Sequence, residues 1–158
     1  MNSPKSIIKN AVVEDDSWIH FNDDESLHGV GPFTLSLARF LSTPDGELPE
    51  DRPMGIRLPN TTQPEALEGR LDAVSLITID FPKFTDGRGY TLARDLRVRL
   101  KYTGELRAVG DITRDQLLYL LRCGFDSFCL KAGKDPHDGL LAFGEQSVRY
   151  QPELSEVV

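Results

Sequence analysis

The stretch LITIDFPKFTDGRGYTLARDLRVRL, Leu76 to Leu100, decides how this chain folds. Leu76–Phe81 is an Ile-rich apolar run of the kind that is buried on both faces of a sheet. A charged loop with two glycines, Gly87 and Gly89, follows it. From Tyr90 to Tyr102 the residues Ala93, Leu96 and Leu100 recur at helical spacing. A second unit of the same kind comes at once. Leu106–Val109 reads as a strand and Thr113–Cys123 as a helix. Thr113 and Gln116 form a capping-box pattern at its start, and Gly124 stands at its C-terminal stop.

The pattern extends outward in both directions. Gly55–Leu58 reads as a strand. Thr62–Asp72 reads as a helix, with Thr62 and Glu65 as a capping box and Pro64 in the first turn. On the other side come a strand at Ser127–Lys131, a short helix at Asp135–Gly144 opened by Pro136, a last strand at Ser147–Gln151 and a frayed tail from Pro152 to Val158. From residue 55 this is βαβαβαβαβ. Such crossovers are right-handed, so the strands are expected to be parallel with helices packed over them. The fold class is therefore α/β: a mainly parallel sheet with flanking helices, as an open sheet or a partial βα-barrel. Before it, Ser6–Phe21 reads as a β-hairpin turning at Glu14-Asp15-Asp16. Asn22–Pro32 is an acidic loop, and Phe33–Leu41 reads as a short helix. Ser42–Pro53 is a surface loop with prolines at 44, 49 and 53. The expected organisation is one domain, with hairpin and helix 1–53 packed on an α/β part 54–152.

Composition narrows the function classes. The chain has 158 residues, 27% of them charged, and a net charge of −7. An acidic balance argues against general binding to nucleic acid or anionic membranes, which needs a basic footprint. No apolar run approaches the roughly 20 residues of a membrane helix. The N-terminus lacks the apolar core of a secretory signal. Cys123 and Cys129 read as two reduced thiols, and a cytoplasmic location is expected. His20, His28 and His137 show no metal-ligand spacing, so no metal site is expected. No flavin, haem, iron–sulfur or nucleotide motif is present, and no cofactor is expected. Trp18, Phe81, Phe84, Tyr90, Tyr119 and Phe125 read as core or loop-anchoring groups.

Ligand-facing groups in parallel α/β folds lie just past the carboxyl ends of strands. That rule selects the loops Asp80–Gly89 and Gly110–Asp115. Asp80 and Asp111 both stand at strand ends, where a carboxyl can act as a general base, bind a cation weakly, or simply cap the next helix. Lys83, Asp86 and Arg88, with Arg114 and Asp115 from the second loop, are candidates for binding an anion or a partner beside a helix N-terminus. The structural alternative is a tight turn in which Arg88 pairs with Asp86 or Asp111. Arg94 belongs to a wider basic region, Lys83 to Arg107, in an otherwise acidic protein. It reads either as a docking surface for an acidic partner or as a solvated face.

The stretches DFPKFTDGRGYTLARDLR, GELRAVGDITRDQLLYLLRCGFDSF and SVRYQ resemble a bacterial, mainly proteobacterial, family of unknown function. The likeness runs from the IIKN start to Tyr150. Members are commonly labelled probable oxidoreductases involved in sulfite reduction, because their genes lie beside those for assimilatory sulfite reductase and sulfate activation. The family has no agreed catalytic residues. The resemblance thus implies a pathway rather than a mechanism: an accessory protein that binds the sulfite reductase haemoprotein or its electron donor. Two other readings stay open. One is an enzyme acting on a small anionic substrate at the strand-end loops. The other is a structural or regulatory module.

Overall fold

A computed structural model describes residues 6–83, 85–130, 134–140 and 143. Eight strands form one sheet: β1 (Ser6–Lys9), β2 (Val12–Asp15), β3 (Ile19–His20), β4 (Phe33–Ser36), β5 (Met54–Leu58), β6 (Val74–Phe81), β7 (Glu105–Gly110) and β8 (Ser127–Cys129). Among the described residues four α-helices accompany them: α1 (Leu37–Ser42), α2 (Arg88–Val98), α3 (Leu117–Cys123) and α4 (Pro136–Gly139). The strand order is β2-β1-β8-β7-β6-β5-β4-β3. Strands β3 to β8 are parallel, while β1 pairs antiparallel with both β2 and β8. The sheet is mixed, mostly parallel, and curled into a half-barrel. The expected Ser147–Gln151 strand, the tail after it, Phe84, Lys131 and Gly144 lie outside the described residues.

Curling follows from chain connectivity. Strands β2 and β3 occupy opposite edges of the sheet, yet only Asp16, Ser17 and Trp18 join them. At ~3.6 Å per residue that link reaches about 14 Å. Eight strands laid flat at ~4.8 Å spacing would separate the edges by about 34 Å. The edges must therefore bend toward each other, and the three-residue link becomes a strap on the face away from the helices.

Helices cover the other face. Residues Ile77, Ile79 and Phe81 of β6 alternate with Leu76, Thr78 and Asp80, so the two sets point to opposite sides. The first set joins Leu106 and Ala108 of β7, Leu92, Ala93 and Leu96 of α2, and Leu117 and Leu120 of α3 in the core. Gly89 is required where α2 meets the sheet, because a Cβ there would lie 2.5 Å from Cζ of Phe81.

The strap face is lined differently. Strand register aligns Ser36, Arg57, Thr78, Arg107, Ser127 and Lys9 in one polar row across six strands. Arg107 is only 2% exposed. It donates to Asp16 of the strap (3.1 Å), Glu105 (3.0 Å) and Ser127 (3.1 Å). Glu105 also accepts from Lys9 (2.9 Å) and Ser127 (2.6 Å). His20 contacts Asp16 at 2.6 Å through Nε2 and Thr34 at 2.7 Å through Nδ1. Arg57 donates to Thr34 Oγ1 and to the Phe21 carbonyl. Each charge lost from water here has a counter-charge or a hydrogen bond, as burial requires.

Several local expectations are corrected. The hairpin turns at Asn10-Ala11, with φ of 55° and 59°, rather than at Glu14–Asp16. Two residues with positive φ match the twist of a tight hairpin, and Asn adopts that region more readily than most. Phe33–Leu41 is a strand followed by a helix. Ser36 breaks it by accepting from Arg39 N (3.1 Å) as the cap of α1. Thr62–Asp72 is not an α-helix: only a 3-10 turn, Pro64–Leu67, forms. Thr62 donates its hydroxyl to the Pro59 carbonyl (2.7 Å) instead of capping, and Gly69 (φ 75°) turns the chain away. Helix α2 ends at Val98, and Lys101 (φ 58°) reverses the chain. By contrast, the Thr113/Gln116 capping box is present, and Gly124 (φ 115°) terminates α3.

Asp16→Ala would remove a charge-assisted hydrogen bond from the buried Arg107 and leave Glu105 as its counter-charge. The expected loss is about 2 kcal/mol of unfolding free energy, measured by urea denaturation. A loss under about 0.5 kcal/mol would mean the strap contact is dispensable.

Candidate functional site

The carboxyl ends of β5, β6 and β7 form a continuous rim. Asn60 follows β5, Asp80 to Arg88 follow or end β6, and Gly110 to Arg114 do the same for β7. The two expected loops do meet. Asp111 N donates to the Phe81 carbonyl (2.7 Å), and Gln116 Nε2 donates to the Tyr90 hydroxyl (3.0 Å). Gly110 (φ 106°) sits so tightly that a Cβ would lie 2.6 Å from the Phe81 carbonyl oxygen and 2.8 Å from Asp80 Oδ1. Glycine here serves the loop-to-loop packing.

The charged side chains of the rim diverge. Arg88 pairs with Asp86, at 2.6 Å from Nη2 and 3.0 Å from Nε. Asp86 also accepts from Arg88 N (3.1 Å). The Asp86 carboxylate therefore occupies the start of α2, where an external anion would otherwise bind. Hydrogen bonds from Arg88 hold the Asp86 carboxyl well below the usual carboxylate range, with a smaller contribution from the Asn60 side chain. Asn60 itself is 6% exposed, and its Nδ2 has no hydrogen-bond partner of ordinary geometry among the described residues. Arg114 pairs with Asp138 of α4 (3.3 Å) rather than with a residue of the first loop. Lys83 and Asp115 are exposed. The tight-turn alternative for Arg88 is thus the arrangement present.

Asp80 differs from its neighbours. It lies on the strap face of β6 at its carboxyl end, and among the described residues it makes no hydrogen bond or ion pair. Desolvation raises its pKa even though the residue is exposed. A carboxyl of this kind at a strand end is suited to exchanging a proton with a bound molecule. Asp111 is half-buried, and its backbone amide ties the two loops together.

The basic region is also reshaped. Arg97 donates to the carbonyls of Gly124, Tyr102 and Gly104 and to Asp126 (2.6 Å), which staples α2 to the turn before β7 and the turn after α3. Arg99 pairs with Glu65 (2.6 Å), and Arg107 is buried on the opposite face. Lys83, Arg94 and Lys101 remain exposed. Among the described residues no group of three or more His, Cys, Asp or Glu could hold a metal ion. No described helix is long and apolar enough to cross a membrane. Cys123 and Cys129 are not joined in a disulfide.

Sequence reading passed over the polar row on the strap face. Its signal is present in single polar residues, Arg57, Thr78, Arg107 and Ser127, set inside short apolar strands. Alternation assigns each to the face opposite the helices.

Over residues 55–158 the chain matches the family described as bacterial protein of unknown function (DUF934), and it belongs to that family. The match begins within β5 and includes both rim loops, α2 and α3. Among curated proteins none matches the chain.

Two measurements check this geometry. Asp80 has a raised pKa and no partner among the described residues, so folding disfavours its ionised form. That cost is absent below its unfolded value of 3.8 and appears as pH rises through the folded value. Asp80→Asn should therefore raise Tm at pH 7 and leave it unchanged near pH 3; a lower Tm at pH 7 would reveal a stabilising contact. Glu105 has the opposite sign. Burial alone would raise its pKa, but Ser127, Lys9 and Arg107 together bring it below its unfolded value of 4.5. Its contribution is present above that value and is lost as pH falls through the folded one. Glu105→Gln should lose stability at pH 7 and show a shallower decline between pH 5 and pH 3, followed by thermal unfolding at each pH.

Proposed function

We propose that the protein is an accessory component of assimilatory sulfite reduction that binds the sulfite reductase haemoprotein or its electron donor. The observation that carries this reading is the resemblance of DFPKFTDGRGYTLARDLR to a family labelled for that pathway. The placement of that segment supports it. Beyond the buried end of β6 and the inner side of α2, it turns Lys83 and Arg94 outward. Those groups can meet an acidic partner without breaking an internal ion pair. In this reading the electrons are carried by another subunit, and the protein contributes recognition and positioning.

A second reading rests on Asp80. In half-barrels as in full ones, the carboxyl ends of strands are where chemistry is placed. A carboxyl of raised pKa, unpaired among the described residues and on the same strand-end loop as Lys83, fits proton transfer to a small anionic substrate. Here Asp80 would be the base, Asp111 would hold the loop, and Lys83 would supply the positive charge. The start of α2 does not add to that charge, because Asp86 already occupies it. A regulatory module without a small ligand is the remaining alternative.

Tagged full-length protein expressed in its own host should co-purify with a sulfite reductase subunit, and deletion of its gene should slow growth on sulfate but not on cysteine. Normal growth on sulfate together with no enrichment of any sulfite reductase subunit would end the pathway reading. For the second reading, Asp80→Asn should abolish any activity found on a small anion, while leaving co-purification unchanged.

A further inference from the structure

We infer that a cleft at the amino ends of β5 and β6 binds a small zwitterion, an α-amino acid with an apolar side chain. This site stands apart from the rim and from the accessory reading above. The cleft measures about 460 Å³, the size of a small-molecule site. Phe40 of α1 and Met54, the first residue of β5, supply buried apolar wall. Glu50 and Arg52 reach it from the loop before β5, and Arg70 and Asp72 from the turn before β6. Aromatic rings set both guanidinium groups in place. Cζ of Arg52 lies 4.6 Å from the Phe33 ring centroid, and its Nε donates to the Gly31 carbonyl (2.7 Å). Cζ of Arg70 lies 4.8 Å from the Phe40 centroid. Stacking fixes the plane of a guanidinium and so prepares it for a planar carboxylate.

The charges identify the ligand. Among the described residues Glu50, Arg52 and Asp72 take part in no ion pair. Nη2 of Arg52 is buried and has no hydrogen-bond partner there. One end of the guanidinium has thus lost water with no counter-charge in return, which is costly. Nη1 donates to no described residue either, and it is not buried. A ligand carboxylate on Nη1 supplies the missing anion. Opposite charges that line one cleft without pairing are held apart. A molecule carrying both charges bridges them, with its carboxylate on Arg52, its ammonium on Glu50 or Asp72, and its side chain against Phe40 and Met54. Inorganic phosphate would meet the same two carboxylates as repulsion, which selects against it.

Isothermal titration of the full-length protein with L-leucine, L-methionine and L-phenylalanine tests this assignment. At least one of them should bind with one-to-one stoichiometry. The matching acid without the ammonium group, and the matching amine without the carboxylate, should each bind about tenfold more weakly or worse. The double variant Glu50→Gln/Asp72→Asn changes only exposed side chains. It should keep the wild-type Tm, lose about tenfold in affinity for the amino acid, and bind the matching acid no more weakly than wild type does. Arg52→Lys keeps the charge but not the planar fork and should lose a similar factor. Should Arg52→Lys lower Tm, the double variant alone decides. No binding of any of the three amino acids at millimolar concentration would overturn the assignment. So would equal binding of the matching acid, displacement of the amino acid by inorganic phosphate, or unchanged affinity in both variants, which would put the amino acid elsewhere on the protein.

Discussion

The three-residue strap Asp16–Trp18 is the constraint on which the rest depends. It joins the two edges of an eight-stranded sheet with a link of about 14 Å, and so imposes the curl. Asp16 then locks the geometry. One of its oxygens accepts from Arg107 on a central strand, the other meets His20 on an edge strand, and Trp18 N donates back to it at 3.0 Å. Burial alone would raise the Asp16 pKa, but these hydrogen bonds and charges bring it below its ordinary value. The carboxylate is thus held ionised in the place where the fold needs an anion.

Curling gives the sheet two unlike faces. The helix side is a conventional apolar core. The strap side carries a satisfied polar row, in which Arg107 is buried and the half-buried Glu105 pairs with it. The candidate site residues lie at the rim and on the outer helices. At the rim, Asp80 has no partner among the described residues, while Asp86 and Arg88 neutralise each other. On the helices, Arg97 and Arg99 are committed to structure, and Arg94 is left facing outward. Membership of a bacterial family of unknown function places these features in a recognised lineage without assigning them chemistry.

The central part of the fold was legible because local and tertiary signals agree there. The apolar run of β6, the periodicity of α2, and the Thr113 and Gly124 signals of α3 each specify one conformation. Legibility failed where a side chain had two competing partners. Thr62 resembles a cap but donates to Pro59, and Ser36 looks like mid-helix yet divides a strand from a helix. The hairpin turn carries Asn-Ala where Asn-Gly would have announced it. Strand-end placement of Asp80, Lys83, Asp86, Arg88 and Asp111 was readable, since βα alternation fixes which loops share a rim. Their pairing was not, because charge along a sequence does not say which neighbour a guanidinium will choose. Arg114 chose Asp138, a residue twenty-four positions on. The partial barrel and the open sheet could not be told apart by periodicity either. The distinction lies in a three-residue link between edges, which becomes informative only once the strand order is known.

A double-mutant cycle between Asp16 and Arg107 tests the central claim most directly. Unfolding free energies of the wild type, Asp16→Asn, Arg107→Met and the double variant give the coupling across the strap. The account predicts a favourable coupling of about 1–3 kcal/mol. Additive effects, with coupling near zero, would contradict it, and would mean that this ion pair does not fasten the strap to the central strand β7.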